Sequence, residues 1–330
     1  MVMAQTVYDE KFEKWLAEYL DEKLPEKIYD AHYHINRKYA AARGYEGKAF
    51  EQYMDFMEKY VPRPILGGLI MAQPNSRHTA EDIADENEYI IGLAKKHNLD
   101  VGILLPPYYT REQTEKILDE NPEVKMLKPY LTYVEDKDNA LEADISAFAP
   151  EWMWALAHDR KMPIMIHLSH YQNMLWDEAN IREIRYFCEK YPDMKLILAH
   201  CAMGHNVPKL KLGLDKIKDL KNVWFDFSGS TETMSIYYCI KEFGAEKMMF
   251  GGDHNHGESL GRICSFGTNF IGLHPGFVDM NYVNGSPYKY QPLNNMQESL
   301  MCFFQAAELL ELSKEDIEKI FYYNAKEIFA

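Results

Sequence analysis

The sequence lacks the cysteine patterns that mark disulfide scaffolds and thiolate metal sites. It has five cysteines, an odd number, and no Cys-x-x-Cys pair. Disulfide-rich secreted domains and zinc knuckles show paired cysteines at short spacing, so the sequence argues against both classes. We therefore expect free thiols and a cytoplasmic location, where thiols stay reduced.

Long apolar runs are also absent, as is the basic and apolar leader of a secreted protein. No stretch approaches the ~20 apolar residues of a membrane helix, so no membrane partner is expected. The first residues instead place apolar side chains at helical spacing, namely Phe12, Trp15, Leu16, Tyr19 and Leu20. This pattern predicts an N-terminal helical extension over residues 1–26.

Basic residues are scarce. Asp and Glu number 51 against 36 Lys and Arg, which gives a formal net charge of −15, and no basic run interrupts this excess. Such a chain repels phosphate backbones, so no nucleic-acid partner is expected. A small acidic substrate stays open, provided that isolated cations such as Arg37, Lys128 and Arg262 supply a local positive field.

The Gly-x-Gly-x-x-Gly turn of a dinucleotide-binding open sheet is missing after the first predicted strand. Short apolar runs instead alternate with longer helical patterns. The eight predicted strands lie near residues 27–34, 65–72, 100–105, 124–131, 163–168, 195–200, 222–228 and 246–252. Strand starts roughly 25 to 40 residues apart predict an α/β fold, a (β/α)8 TIM barrel, as one domain over residues 1–330.

Two long loops and a helical C-terminal part complete the prediction. Arg37 to Gly47 is a basic and aromatic loop before a helix predicted at 48–60. Residues 254–295 are rich in Gly, Asn and Pro, which is typical of a lid or a substrate-contacting segment. Exposed aromatic residues in these loops favour a homodimer. Ser313 is the expected N-cap of a helix that packs on the barrel.

Metal-competent side chains stand at or just past the C-terminal ends of four predicted strands. His32 and His34 share one face of the first strand because side chains alternate along it. His167 and His200 follow short apolar strands, and Asp253 leaves the eighth strand through two glycines. In a barrel, these ends meet on the face that carries active sites. The structural alternatives are core imidazoles and, for Asp253, a helix N-cap.

In these residues the sequence resembles the amidohydrolase superfamily, and within it the amidohydrolase-related branch of metal-dependent hydrolases and decarboxylases. The resemblance spans Asp30 to Phe329, nearly the whole chain. It rests on Asp30-Ala31-His32-Tyr33-His34, on the single His167 and His200, on Gly252-Asp253, and on Asn324-Ala325-Lys326-Glu327-Ile328-Phe329 as the closing helix.

The resemblance implies a mononuclear metal site. The residues that match His32, His34, His167 and Asp253 hold one divalent cation, and the one that matches His200 binds or polarises the substrate. Zinc suits this ligand set best, and manganese or iron also fit it. Some superfamily members bridge two metals with a modified lysine, for which Lys128 is the candidate. Others work without metal.

Further residues are predicted to contact the substrate, though each has an ordinary structural explanation. Arg37 and Arg262 are candidates to clamp a carboxylate, Lys128 is a candidate cation, and His170 is a candidate pocket wall. His254 and His256 repeat the His-x-His spacing in a loop, where they are candidates to contact the metal ligands or the substrate, with plain loop residues as the alternative; of the two, His254 is the predicted substrate contact. Cys201 follows His200, and strand alternation is expected to turn its thiol away from the His200 face.

These residues predict a metal-dependent hydrolase. Asp253 would accept a proton from a metal-activated water, and His200 would stabilise the developing oxyanion of a small polar, carboxylated or lactone-type substrate. The first alternative is a metal-dependent non-oxidative decarboxylase, for which Asp253 would move a proton to or from carbon. The second alternative is a catalytically silent barrel that serves as a binding protein.

Overall fold

The computed structural model describes residues 5–7, 10–274, 288–290 and 292–330. Eight parallel strands form one sheet in sequence order, β2 to β9. The strands are β2 Ile28–Ile35, β3 Ile65–Ala72, β4 Asp100–Leu104, β5 Val124–Lys128, β6 Pro163–Ile166, β7 Lys195–Leu198, β8 Val223–Asp226 and β9 Met248–Met249. The predicted (β/α)8 barrel is confirmed.

Hydrogen bonds between the first and last strands close the ring. The main-chain N of Asp253 donates to His32 O at 2.8 Å, and His34 N donates to His254 O at 2.8 Å. These bonds run just beyond β9, which is shorter than the predicted 246–252.

Two glycines permit this close approach. A Cβ atom at Gly251 would lie 2.7 Å from the Cβ of His32, and one at Gly252 would lie 2.7 Å from Oδ2 of Asp30. Contacts this short exclude any larger residue without movement of the first strand. The Gly-Gly pair before Asp253 therefore lets the barrel close around the first strand.

Helices surround the barrel. They are α1 Glu10–Lys23, α2 Arg37–Ala41, α3 Ala49–Tyr60, α4 Ala80–His97, α5 Arg111–Glu120, α6 Ile145–Phe148, α7 Glu151–Asp159, α8 Glu178–Lys190, α9 Ala199–Met203, α10 Val207–Ile217, α11 Thr233–Phe243, α12 Asn295–Leu309, α13 Lys314–Glu318 and α14 Asn324–Ile328. Their apolar faces and the outer sides of the strands form the larger core. No helix of the described residues is both long and apolar enough to cross a bilayer.

A second core fills the inside of the barrel. Leu69, Met126 and Met165 from three strands are fully buried there. The base of this core is closed by Phe329, whose ring stacks on Tyr29 with 6.0 Å between centroids. The closing segment predicted at the end of the chain thus lies beneath the first strand.

The N-terminal extension is helical only in part. Leu16 and Leu20 of α1 are buried, whereas Phe12 and Trp15 are 38% and 46% exposed. Before this helix, β1 Gln5–Val7 pairs in parallel with β12 Tyr288–Tyr290. This short strand was not predicted, because its partner is distant in the sequence.

Both long loops contain unpredicted structure. The basic loop begins with α2, where Asn36 caps the helix by accepting from Tyr39 N. The region 254–295 contains an antiparallel hairpin of β10 Arg262–Phe266 and β11 Asn269–Leu273. The rest of the predicted lid, 275–287 and 291, lies outside the described residues.

The C-terminal helical part matches its prediction at the cap. Ser313 and Asp316 form a capping box at the start of α13. A π-helical turn over Lys319–Tyr323 connects this helix to α14. Ile320 and Phe321 of that turn are fully buried.

Candidate metal centre

A cavity of about 530 Å³ opens at the C-terminal ends of the barrel strands. Six histidines line it, namely His32, His34, His167, His200, His205 and His256. Among its described lining residues, Asp253 is the only carboxylate, and none is Arg or Lys. The cavity therefore combines many nitrogen donors with a single anionic oxygen donor.

His32 and His34 turn the same ring nitrogen toward one point. Nδ1 of His32 donates to the Asp226 carboxylate at 3.0 Å, and Nδ1 of His34 donates to Ala72 O at 2.9 Å. These acceptors fix the tautomers and leave Nε2 of both neutral rings unprotonated. The two Nε2 atoms lie 3.2 Å apart.

A shared cation would account for this spacing. Two lone pairs that face each other repel, whereas two nitrogens each ~2.0–2.1 Å from one zinc ion are separated by about this distance at a near-tetrahedral angle. Burial lowers the pKa of His34 well below its ordinary value, and burial together with Lys128 lowers the pKa of His32. Both rings are therefore neutral near pH 7, which is the state that binds metal.

Asp253 completes a buried group of three donors. Ligand atoms of His32, His34 and Asp253 all lie within 4.8 Å of one another. The Asp253 oxygen Oδ1 is 4.0 Å from Nε2 of His32. Asp253 has a left-handed backbone with φ of 47°, which a short polar side chain tolerates. The predicted convergence of the first and eighth strands is thus present in the structure.

His167 lies on the same wall but outside this group. Its Nε2 is 2.6 Å from the Tyr171 hydroxyl, and its ring centroid is 5.0 Å from that of His200. Its Nδ1 is buried and has no hydrogen-bond partner among the described residues. Burial, reinforced by His200, lowers the pKa of His167 well below its ordinary value. The structure therefore leaves His167 outside the group of His32, His34 and Asp253, although its ring lies beside that of His200.

His200 stands on an unusual backbone. Four successive residues, 200–203, have φ near +50° to +56°, a left-handed turn within α9. His200 N donates to Asp226 at 3.2 Å, and its Nδ1 donates to Ser228 O at 2.8 Å. The strand therefore ends at Leu198 and not at the predicted residue 200, so strand alternation does not set the direction of Cys201. That thiol is nevertheless fully buried.

This geometry corrects the predicted role of His200. Because Nδ1 carries the proton, Nε2 of the neutral ring accepts hydrogen bonds and cannot donate to an oxyanion. Burial lowers the pKa of His200, although Asp253 opposes the shift. A donating imidazolium is thus disfavoured near pH 7.

Asp226 is a site residue that the sequence reasoning missed. It accepts from the ring of His32, the main chain of His200 and the hydroxyl of Ser228. Burial raises the pKa of Asp226, but the opposing effects of His32, His200 and Ser228 together hold it below its usual range. The signal was available, because Asp226 ends the apolar strand β8 just as the metal-competent residues end theirs.

Lys128 lies at the end of β5, buried beneath the cavity. It is fully buried, and its Nζ has no hydrogen-bond partner among the described residues. Burial lowers the pKa of Lys128 to about 8, although the Asp226 and Asp253 carboxylates oppose the shift. Lys128 therefore does not line the cavity, but its charge acts on the histidines that do.

A family model described as amidohydrolase, Amidohydro_2, matches residues 29–330. The chain belongs to the amidohydrolase family. This family is one of metal-dependent enzymes, which agrees with the His and Asp donor group of the described residues. No curated protein matches the chain.

Solved amidohydrolase-fold structures match almost the whole chain. An amidohydrolase from Burkholderia multivorans with bound zinc is 12% identical, covers 92% of this chain and 98% of its own, and has a TM-score of 0.56. 2,6-Dihydroxybenzoate decarboxylase from Rhizobium is 13% identical, covers 92% of this chain and 99% of its own, and has a TM-score of 0.55. 4-Oxalomesaconate hydratase from Rhodopseudomonas palustris is 12% identical, covers 92% of this chain and 95% of its own, and has a TM-score of 0.56. At these identities the likeness shows the fold alone.

Both arginines predicted to clamp a substrate lie outside the main cavity of this amidohydrolase. Arg37 donates to Asp85 and, at 2.8 Å, to Glu86, and it lines a neighbouring cavity of about 350 Å³. Arg262 donates to Thr231 O at the base of the hairpin and lies 3.7 Å from Glu298. Neither arginine therefore lines this cavity among the described residues, although Nε of Arg262 is buried without a hydrogen-bond partner there.

Two predicted histidine contacts are also corrected. His170 lies 3.3 Å from Asp144 and 3.5 Å from Glu142, outside the cavity of the amidohydrolase. His254 is buried, and both its ring nitrogens contact protein acceptors. Its neighbour in the motif, His256, does line the cavity. A loop has no fixed period, so the His-x-His spacing could not show which ring turns inward.

Proposed function

We propose that this amidohydrolase is a metal-dependent hydrolase that acts on a small lactone-type or related acyl substrate. The observation that carries the proposal is the convergence of His32, His34 and Asp253 at the base of the main cavity. Zinc is the proposed metal, because two imidazoles and a carboxylate match its preferred donors, with manganese or iron as alternatives.

The chain's own residues would divide the work as follows. A bound divalent cation lowers the pKa of water and polarises a carbonyl. Asp253 accepts the proton of the attacking water and returns it to the leaving group. His200 accepts a second hydrogen bond from this water through Nε2 and orients it. The assignment rests on the place of His200 in the cavity wall with Asp253, and on its bond to Ser228 O, which puts the ring proton on Nδ1 and leaves Nε2 as the acceptor.

The second candidate is a non-oxidative decarboxylase. Tyr130, Tyr171 and Phe270 give the cavity aromatic walls, which suit a planar acid. The fold likeness to the Rhizobium decarboxylase is consistent with this candidate. Hydrolysis is preferred because the described lining supplies no guanidinium or ammonium for a substrate carboxylate.

A paired substrate panel tests the proposal. Zinc-loaded protein is incubated with γ-butyrolactone and dihydrocoumarin, and separately with 2,6-dihydroxybenzoate, while acid release and carbon dioxide are measured. We expect acid release from a lactone and a 10²–10⁴-fold loss with Asp253→Asn. His158→Gln, a change on the outer helix α7, serves as the matched control and should retain full activity.

The other outcomes are informative. Carbon dioxide release without lactone cleavage would reject hydrolysis in favour of decarboxylation. Purified protein without stoichiometric metal, and without turnover after metal addition, would favour the binding-protein alternative.

A further inference from the structure

The hydrogen bonds that close the barrel between β2 and the Asp253 loop are extended by the side chain of His254. His34 N donates to His254 O at 2.8 Å, and Nδ1 of His254 lies 3.1 Å from His34 O. One residue therefore holds both main-chain groups of His34. The side chain of His254 is 1% exposed, so water does not compete for these bonds.

Glu258 holds the other side of this imidazole. Nε2 of His254 lies 3.0 Å from Oε1 of Glu258. The same carboxylate accepts from the Tyr39 hydroxyl at 2.6 Å and from the Gln52 amide, and Arg43 lies 3.6 Å away. Glu258 thus connects His254 to helices α2 and α3.

Two aromatic rings pack against the imidazole of His254 and restrict its movement. The ring centroids of Tyr53 and Phe56 lie 5.5 and 5.7 Å from that of His254. Since both ring nitrogens contact protein oxygens, the imidazole has no free donor for a metal or a substrate. Its contacts instead join the two segments that carry His34 and Asp253.

We propose that His254 and Glu258 are positioning residues that fix the distance between His34 and Asp253. The inference rests on the proposed function, because it takes His34 and Asp253 as metal ligands. His254 directly follows Asp253, whose own N–H is bonded to the first strand. A shift of the His254 ring would therefore move the carboxylate relative to the imidazoles.

Zinc affinity tests this inference without a substrate. Dissociation constants for Zn²⁺ are measured by competition with a chromogenic chelator for wild type, His254→Gln, Glu258→Gln and the double variant. Loss of partners behind metal ligands typically weakens metal binding 10–100-fold, which we expect for both single variants. The loss of zinc affinity in the double variant should be smaller than the product of the two single-variant losses, because both changes break the same His254–Glu258 contact. His158→Gln is the matched control and should bind zinc like wild type.

A second readout separates positioning from general stability. The visible spectrum of the Co²⁺-substituted protein reports ligand geometry, and it should change in His254→Gln and Glu258→Gln relative to wild type. A role in stability alone would lower the melting temperature of metal-free protein but leave the spectrum and the zinc affinity unchanged. Where His254→Gln does not fold, Tyr39→Phe removes one donor to Glu258 and should weaken zinc binding a few-fold.

The outcomes distinguish the two proposals. Zinc affinities within twofold of wild type in folded variants would overturn the inference while leaving the proposed function intact. A wild-type chain that binds no zinc, manganese or iron would overturn the proposed function, and the inference with it.

Discussion

Asp226 is the residue on which the orientation of His32 depends. Its carboxylate accepts a hydrogen bond from Nδ1–H of His32, which leaves the unprotonated Nε2 to face the cavity. We expect Asp226→Asn to weaken zinc binding about 10–100-fold, since the amide is a poorer acceptor and can turn a donor toward the ring. The dissociation constant for Zn²⁺ measures this effect. Asp215→Asn on the surface is the control, and equal affinities in both variants would contradict the assignment.

Lys128 predicts a pH-dependent change in stability. Burial lowers its pKa from 10.5 to about 8, so the folded protein binds fewer protons than the unfolded chain between these values. The free energy of unfolding should therefore rise from about pH 8 to pH 10.5, and the full cost of the buried charge remains below pH 8.

We expect metal-free Lys128→Met to be more stable than wild type by roughly 3 kcal/mol at pH 7. This difference should shrink as the pH approaches 10.5, the ordinary value for lysine. Urea unfolding across this range measures it, with Lys125→Met on the same strand as the control. A difference that does not vary with pH would show that Lys128 acts through packing alone.

At the site, the sequence predicted which strand-end residues lie together, but it did not predict what the loop residues contact. The strand-end rule located His32, His34 and Asp253, because their positions follow from parallel strands in a barrel. The roles of Arg37, Arg262 and His254 depend on which loop acceptor reaches them first. No periodicity encodes such a contact, so these three predictions could not be made reliably from sequence.

At the scale of elements, the glycines before Asp253 set how closely β2 and the last strand approach. We expect Gly251→Ala to lower both stability and zinc occupancy, because its Cβ would meet His32 at 2.7 Å and Ser228 at 2.9 Å. Metal content and urea unfolding check this prediction. Gly92→Ala is the control, because that position lies in α4 with open space around it and should gain up to about 1 kcal/mol. Similar behaviour of the two variants would contradict the close-approach argument.

The strands were predictable because each is a short apolar run with a turn on either side. The hairpin of β10 and β11 was not, since its strands are partly exposed and carry no strong alternation. The left-handed turn after β7 was also missed. Cys201, Ala202 and Met203 are not residues that favour that conformation, so the sequence gives no signal for it, and tertiary contacts such as the bond of His200 to the Ser228 carbonyl stabilise it.

At the scale of the whole molecule, the proposed metal ligands lie on strands from opposite ends of the barrel sequence. A bound ion should therefore stabilise the entire fold, by about 2.7 kcal/mol when free metal is 100 times the dissociation constant. Calorimetry with and without EDTA measures the change in melting temperature. Asp253→Asn should respond less to EDTA, and an equal response would place the bound metal elsewhere.

The homodimer expected from exposed aromatic residues stays a prediction. Phe266 at the tip of the hairpin is 69% exposed and is the most exposed large apolar side chain of the described residues. Sedimentation analysis measures the mass in solution. A single species of 38.6 kDa would contradict the prediction.

The hydrogen bonds between the first strand and the Asp253 loop have a consequence for biosynthesis. The two imidazoles of β2 leave the ribosome long before the carboxylate that joins them. A nascent chain therefore exposes only two of the three proposed metal donors until the ring has formed. Under the proposed metal site, tight binding of a cation requires the completed ring, so partly synthesised chains should bind it more weakly than the folded protein.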